Sequence, residues 1–268
     1  MVTGTTSSSN FPIANAYDGT WNGGDDIFLL RLTPAGSALT YSTYFGGTSN
    51  DWPYAIAVDG TGAVILTGET GPGLTFPLKK ALQTTANQFL AKAFVTKFTP
   101  AGNALEFSTF LSGDGSSRGR AIALGSDNSI YVAGNQSSYN FPLLNPLDTR
   151  FIDDTGFVAR LTTEGALAYS TYFPAEVVKI RIDAEGSIYL SGTTSFDMPG
   201  SMTTFGGRGC YAAKLNAAGS AYVFLTNVGG QGLEECYSMA VTSTGEVWIA
   251  ETILNICLVG AVAGCATN

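Results

Sequence analysis

The sequence predicts an all-β protein, a β-propeller of four-stranded antiparallel blades, four to five in number. Three observations predict it: segments recur along the 268 residues about every 60 residues, each period holds four short segments rich in β-branched and aromatic residues, and turn residues bound each segment. Such repetition is typical of propellers. We therefore expect one domain over residues 1–268, either closed by pairing of its N- and C-terminal strands or forming a piece of a longer propeller.

The repeat is clearest in a short segment that ends in a small residue and glycine. Its glycines, at positions 4, 68, 134 and 192, are 64, 66 and 58 residues apart, and the segment degenerates at 249–251. A Thr-Pro-Ala-Gly turn at 33–36 and an aromatic Tyr-Ser-Thr-Tyr segment at 41–44 return in the same phase. The repeat is degenerate over residues 210–268.

The first complete period predicts four strands in order. They are Tyr54–Asp59, Val64–Glu69, Ala93–Phe98 and Ala104–Leu111. Because most of the connections between these strands are short, neighbouring strands are predicted to pair in antiparallel orientation. The first strand alternates small and branched side chains, which suits the crowded axis of a propeller, so the aromatic fourth strand falls on the outer edge. This phase predicts three outer strands, three complete blades, an inner pair at 237–242 and 246–251, and a further strand within 253–263.

Several motifs recur together in this phase. They are Phe28–Leu32, Pro34–Gly36, Tyr41–Tyr44, Gly46-Gly47, Ala55–Asp59, Leu66–Gly68 and Phe76-Pro77. In combination they resemble the SBBP family of bacterial β-propeller repeats, over nearly the whole chain and more weakly after about Cys210. The resemblance implies a propeller fold and a place in large secreted or surface proteins of bacteria. It implies no catalytic residues.

Composition excludes several functions. The chain has no histidine, which rules out Ser-His-Asp and Cys-His hydrolysis and histidine-ligated metals. A net charge of −8 argues against nucleic-acid binding, because phosphate contacts need basic side chains. No stretch approaches the roughly 18 to 20 apolar residues of a membrane span, so we expect no membrane insertion. Met1 is followed by mid-repeat sequence, so we expect no signal segment within this chain.

The long connections within blades are predicted to share one face, where function usually lies on a rigid scaffold. They cover residues 5–26, 70–92, 135–155 and 193–209, with Phe-Pro or Met-Pro pairs that we interpret as apolar plugs over the blade edge. Trp21, Trp52 and Tyr139 lie in or beside the connections of this face and are candidate stacking platforms for a saccharide.

The shorter connections of that face carry charged side chains near the mouth of the central channel. They are Asp51, Asp114, Glu176, Glu234 or Glu235, Arg118 and Arg120. Convergent carboxylates bind hard cations or sugar hydroxyls, and a separated pair hydrolyses glycosides. The alternative is that each carboxylate caps its own turn. Asp25-Asp26 and Asp153-Asp154 lack the ligand spacing of an EF-hand, so we expect no cofactor and leave calcium open.

Two further patterns are structural. Basic residues occupy one register of the third strand, which predicts a repeated salt bridge or a snorkelling side chain; they are Arg31, Lys97, Arg160 and Lys214. Four cysteines predict two disulfides, and of the three connectivities we favour Cys210 with Cys236 and Cys257 with Cys265. Disulfides persist in oxidising compartments, which favours a secreted or cell-surface location.

The sequence favours a non-catalytic scaffold or adhesion module, extracellular or on the cell surface, that presents its loop face to a glycan or a protein. The alternative is a carbohydrate-active propeller enzyme, a glycoside hydrolase using Asp51, Asp114, Glu176 and Glu235. A third hypothesis is a structural repeat subunit of a surface assembly or fibre, because incomplete terminal blades expose strand edges through which the protein would self-associate.

Overall fold

A computed structural model describes residues 1–73, 75–151, 155–196, 198, 208–228 and 233–254, and these ranges contain antiparallel sheets and no helix. The first sheet holds β1 (Val2–Thr6), β2 (Asp26–Leu32) and β3 (Leu39–Phe45). The second holds β4 (Asp51–Val58), β5 (Val64–Thr70), β6 (Lys92–Phe98) and β7 (Leu105–Phe110). The third holds β8 (Ser117–Leu124), β9 (Ile130–Gln136), β10 (Thr155–Leu161) and β11 (Leu167–Phe173).

The remaining strands form two more sheets. The fourth holds β12 (Lys179–Ile182), β13 (Ile188–Thr194), β14 (Gly209–Leu215) and β15 (Tyr222–Val228). The fifth holds β16 (Leu233–Val241) and β17 (Val247–Leu254). This confirms the predicted three strands, three four-stranded blades and final pair. The further strand expected within 253–263 lies largely outside the described residues.

The sheets follow one another in the manner of propeller blades. Within each sheet the strands pair in chain order, and the first strands β4, β8, β12 and β16 lie side by side, as predicted for innermost strands. Extensive contacts between described residues join each sheet only to its neighbours along the chain. The described residues therefore form a propeller-like arc in which β1–β3 and β16–β17 do not close a ring.

The hydrophobic core is divided among the boundaries between sheets. At the first boundary Ile27 and Phe45 pack with Leu66 and Phe94, all fully buried. Two similar clusters fill the second and third boundaries. The side chains of each sheet thus find their apolar partners in the next sheet, which is why a single blade does not bury its own core.

The long connections fold back over the outer edges of their own sheets. In the Tyr-Ser-Thr-Tyr strand the serine hydroxyl donates to the carbonyl of the loop proline, as Ser42 does to Pro12 at 2.7 Å and Ser108 to Pro77 at 2.7 Å. The plug residues Phe76, Phe141 and Met198 are buried, which confirms their structural interpretation. The loop thereby covers a strand edge that would otherwise pair with another chain.

The basic register of the third strand forms the predicted salt bridges. Lys97 Nζ lies 3.0 Å from Asp59 Oδ2, Arg160 pairs with Asp127 at 2.8 Å, and Lys214 pairs with Asp183 at 3.2 Å; the acids lie in the turns between first and second strands. Arg31, whose sheet has no such turn, makes no ion pair among the described residues.

The disulfide Cys210–Cys236 joins the third strand of the fourth sheet to the first strand of the fifth, with the two Cα atoms 5.6 Å apart. This confirms one predicted pair. Cys257 and Cys265 lie outside the described residues. The bond ties the two-stranded fifth sheet to a complete blade, across a boundary where the repeat is degenerate.

We predict that Asp59→Asn lowers the free energy of unfolding at pH 7 by about 2 kcal/mol. Burial would raise the pKa of Asp59, but hydrogen bonds from Thr61, Lys97 and the Ala63 N–H lower it from 3.8 to about 2. A lowered carboxyl pKa stabilises the fold above about pH 4, and this contribution is lost as the pH falls towards 2.

The measurement is urea denaturation of the wild type and of Asp59→Asn at pH 7 and at pH 3. The difference between their free energies of unfolding should be smaller at pH 3. Asp127→Asn is the matched control, because its ion pair is solvent-exposed and contributes at most about 1 kcal/mol. Equal losses in the two variants at pH 7 would contradict the prediction.

We also predict that Cys236→Ser destabilises the protein by about 3 kcal/mol, because the disulfide closes a loop with a sequence separation of 26. Thermal melting with and without a reducing agent measures the effect. The double variant Cys210→Ser/Cys236→Ser should melt at one temperature in both conditions. A wild-type melting temperature that reduction leaves unchanged would refute this.

Candidate functional site

One position of the repeat carries a polar or aromatic side chain in each of four successive sheets. It lies where the first strand enters from the long-loop face, and its occupants are Trp52, Arg118, Glu176 and Glu235. We call these four residues the mouth row. Three of the four sheets carry a register shift directly after this position, between Pro53 and Ala55, Gly119 and Ala121, and Cys236 and Ser238.

The glycine of the repeated small-Gly segment explains this geometry. A Cβ atom at Gly134 would overlap the carbonyl oxygen of Arg118, and one at Gly192 would overlap that of Glu176. Only glycine leaves room for the bulged first strand to approach the second strand so closely. The repeat glycine therefore positions the mouth row.

Two adjoining cavities meet at Glu176. The first has a volume of about 220 Å³ and is lined by Ser116, Ser117, Arg118, Asn135, Gln136, Ser137 and Glu176. The second has a volume of about 290 Å³ and is lined by Pro174, Ala175, Glu176, Thr193, Thr194, Ser195, Phe196 and Arg208. Their walls consist mainly of hydroxyl, amide and charged groups, so the arrangement suits a polar ligand.

Ion pairs fix the charged side chains around these cavities. Arg208 Nη2 lies 3.2 Å from Glu176 Oε2, and Arg208 Nη1 lies 4.0 Å from Glu235 Oε1. Arg118 Nε donates to the carboxylate of Glu69, whose side chain is almost fully buried. Because most of these side chains are partly exposed, the pairs orient the groups more than they stabilise the fold.

Amide groups add directional hydrogen bonding to the first cavity. Gln136 is fixed, since its Nε2 donates to Thr155 Oγ1 at 2.6 Å and its Oε1 accepts from the Ser138 N–H at 2.6 Å. The Oδ1 atom of Asn135 is buried and accepts no hydrogen bond from the described residues. Asn135 therefore offers an acceptor that a ligand donor would satisfy.

Asp51 lies outside these cavities, at the boundary between the first two sheets. It is fully buried, and its Oδ2 accepts the N–H of Gly47 at 2.7 Å, so it caps its own connection. Burial raises the pKa of Asp51 to about 6, and the charge of Asp26 adds to the rise. The Thr70 hydroxyl, the Gly47 N–H and the Lys92 charge oppose it.

The other candidate carboxylates have different surroundings. Asp114 is exposed, and its backbone N–H donates to Asn140 Oδ1 at 2.8 Å. Glu176 and Glu235 share the guanidinium of Arg208, and Tyr237 donates a hydrogen bond to Glu235 at 2.8 Å. Arg208 thus connects two of the four carboxylates, whereas Asp51 is separated from them by a whole sheet. Glu234 is buried, and Asp153-Asp154 lie outside the described residues.

The remaining ligand-binding candidates are distributed over the same face. Trp21 is partly exposed and donates from Nε1 to the Gly24 carbonyl at 3.0 Å. Tyr139 is 77% exposed and packs on Phe151 with ring centroids 4.2 Å apart. Arg120 lies over the Tyr54 ring at 4.5 Å, among the first strands and away from both cavities.

Arg208, Glu69 and Asn135 were not predicted as site residues. Arg208 precedes the third strand of a degenerate repeat, so no equivalent residue draws attention to it. Glu69 and Asn135 occupy one register at the end of the second strand, opposite Trp52 and Arg118. Strand pairing with the mouth row would have identified Glu69 and Asn135 as site residues.

Comparisons with known proteins identify no family. No protein-family model matches the sequence, and no curated protein matches it. Solved structures do match, among them a protein of unknown function from Bacteroides caccae, with 9% sequence identity and a TM-score of 0.46. The alignment covers 92% of this chain and 64% of that one. None of the described residues forms a helix long and apolar enough to span a membrane.

We predict that Gly134→Ala destabilises the protein by about 3 kcal/mol or more, because the new Cβ has no space beside the Arg118 carbonyl. Gly36→Ala is the control. Gly36 has a φ of 69° and open space where a Cβ would project, so alanine there costs only the left-handed conformation, about 1 kcal/mol. Urea denaturation compares the two, and similar losses would argue against the close-approach explanation.

Proposed function

We propose that this chain is a non-catalytic extracellular binding scaffold of the SBBP propeller type, which binds a glycan at the mouth row. The observation that carries the proposal is the pair of polar cavities meeting at Glu176. The SBBP-like motifs support the propeller assignment and the surface location, and the Cys210–Cys236 disulfide is compatible with an oxidising compartment.

The chemistry of the walls favours a hydroxyl-rich ligand. Sugar hydroxyls both donate and accept, and the cavities offer hydroxyl groups, the free acceptor of Asn135 and carboxylates already balanced by arginines. Such ion-paired charges keep hydrogen-bonding capacity without requiring a charged ligand. Exposed Tyr139 and half-buried Trp52 on the same face add flat apolar surface for a sugar ring.

A glycoside hydrolase is the second candidate, because Arg208 brings Glu176 and Glu235 to one place. Two carboxyl groups that act as acid and base or nucleophile face each other across the scissile bond. Here both are engaged by the same guanidinium, which lies between them. This arrangement supports a binding role more than hydrolysis.

The experiment is a glycan array followed by calorimetric titration of any glycan that binds. Glu176→Gln and Asn135→Ala should weaken binding about tenfold or more, since each removes a hydrogen-bonding group from the cavities. Glu185→Gln is the matched control, because Glu185 lines a cavity of about 450 Å³ among the turns at the opposite ends of the strands.

Binding that Glu185→Gln weakens and Glu176→Gln does not would place the site on the other face. Failure of every glycan to bind would refute the proposal. Turnover of a polysaccharide that Glu176→Gln abolishes would favour the hydrolase.

A further inference from the structure

Two buried carboxylates face each other at the boundary between the first and second sheets. Asp26 begins β2 and Asp51 begins β4, and both residues are fully buried. Gly46 lies between them: the position that its Cβ would occupy is 2.8 Å from Asp26 Oδ1 and 2.6 Å from Asp51 Oδ2. Because Gly46 has no side chain, both carboxylates can approach the space beside its Cα atom.

Each carboxylate has one oxygen satisfied and one without a partner. Asp26 Oδ2 accepts the N–H of Asn22 at 2.8 Å, and Asp51 Oδ2 accepts the N–H of Gly47 at 2.7 Å. The Oδ1 atoms of both residues are buried and accept no hydrogen bond from any described residue. Buried carboxylate oxygens require a compensating partner, because leaving them unpaired is costly.

The charges nearby do not balance. Lys92 is the buried cation of this region, but its Nζ donates to the carbonyls of Gly71 and Leu90, both at 3.1 Å. Asp18 adds a third carboxylate, because Asn22 donates its N–H to Asp26 Oδ2 and its Nδ2 to Asp18 Oδ2 at 2.9 Å. Three carboxylates against one ammonium leave two negative charges.

We propose that the carboxylates of Asp26 and Asp51 bind a calcium ion beside Gly46, where the unpartnered Oδ1 of Asp26 approaches the carboxylate of Asp51. Calcium prefers oxygen ligands and accepts carboxylates together with hydroxyls, backbone carbonyls and water. The buried Thr70 hydroxyl beside Asp51 is a neutral oxygen of this kind. The described residues contain no group of three or more acidic, histidine or cysteine side chains around one point, so neutral oxygens complete the coordination.

The next boundary shows what the same positions look like without carboxylates. Ser117 stands at the position of Asp51 and Lys92 at that of Asp26; Ser117 Oγ donates to Ser112 Oγ at 2.7 Å, and Lys92 Nζ donates to two backbone carbonyls. Both side chains therefore find their partners within the protein. The carboxylates of the first boundary cannot do so, and a cation is the partner that they lack.

The experiment uses the whole chain stripped of metal with EDTA. Millimolar Ca²⁺ should raise the melting temperature by about 5 °C, since a ligand that binds only the folded state stabilises it. Tb³⁺, which replaces calcium, should luminesce when tryptophan is excited, because Trp52 adjoins Asp51. Ca²⁺ should displace it.

Asp51→Asn should abolish both the temperature shift and the luminescence, and Asp26→Asn should do the same. Asp114→Asn is the matched control in the corresponding connection before β8, and should keep both. A wild-type protein whose melting temperature and Tb³⁺ luminescence do not respond to Ca²⁺ would overturn the proposal. So would a calcium response that survives in Asp26→Asn and Asp51→Asn. If either variant does not fold, calorimetric titration of the wild type with Ca²⁺ decides, because the proposal requires binding there.

Discussion

The close approach of the repeat glycine to the bulged first strand is the constraint on which the rest of the structure depends. Because Gly134 and Gly192 have no Cβ atom, the second strand leaves room for the carbonyl oxygen of the mouth-row residue in its own sheet, Arg118 or Glu176. In the third sheet, which has this bulge, Arg118 is partly exposed, while the residue before it, Ser117, stays buried between sheets. Glu176 and Ala175 show the same alternation in the fourth sheet. One backbone contact thus separates a solvent-accessible position from a core position.

The two ends of each blade are stabilised differently. At the turn end, repeated ion pairs such as Lys97 with Asp59 hold the third strand to the hairpin of the first two. At the outer edge, the serine of the aromatic strand holds the long loop through the carbonyl of its proline. Both devices recur from sheet to sheet, which leaves the mouth row free to vary in sequence without loss of the scaffold.

The sequence allowed prediction of whatever the repeat dictates: the strands and their order, the basic register, the buried plugs and the pairing of Cys210 with Cys236. It did not allow prediction of contacts that cross a sheet boundary, because these depend on two non-equivalent positions meeting in space. Arg208 is such a case, since it lies in a degenerate segment and bridges two sheets. Asp51 is another: its connection predicts a place at the channel mouth, whereas it is buried against the first sheet, where its carboxylate meets that of Asp26 beside Gly46.

Function in such a chain has to lie where the repeat is broken. A repeated structural role favours the same residue type or the same charge at each equivalent position, as the glycines and the third-strand cations show. The mouth row instead carries tryptophan, arginine and two glutamates, and the buried position before it carries aspartate, serine, alanine and glutamate. Charge at these positions opposes burial and crowding, so it persists only with a partner. Arg208 and Glu69 are such partners for the mouth row, and Asp26 and Asp51 have unpartnered oxygens that point to a partner from solution.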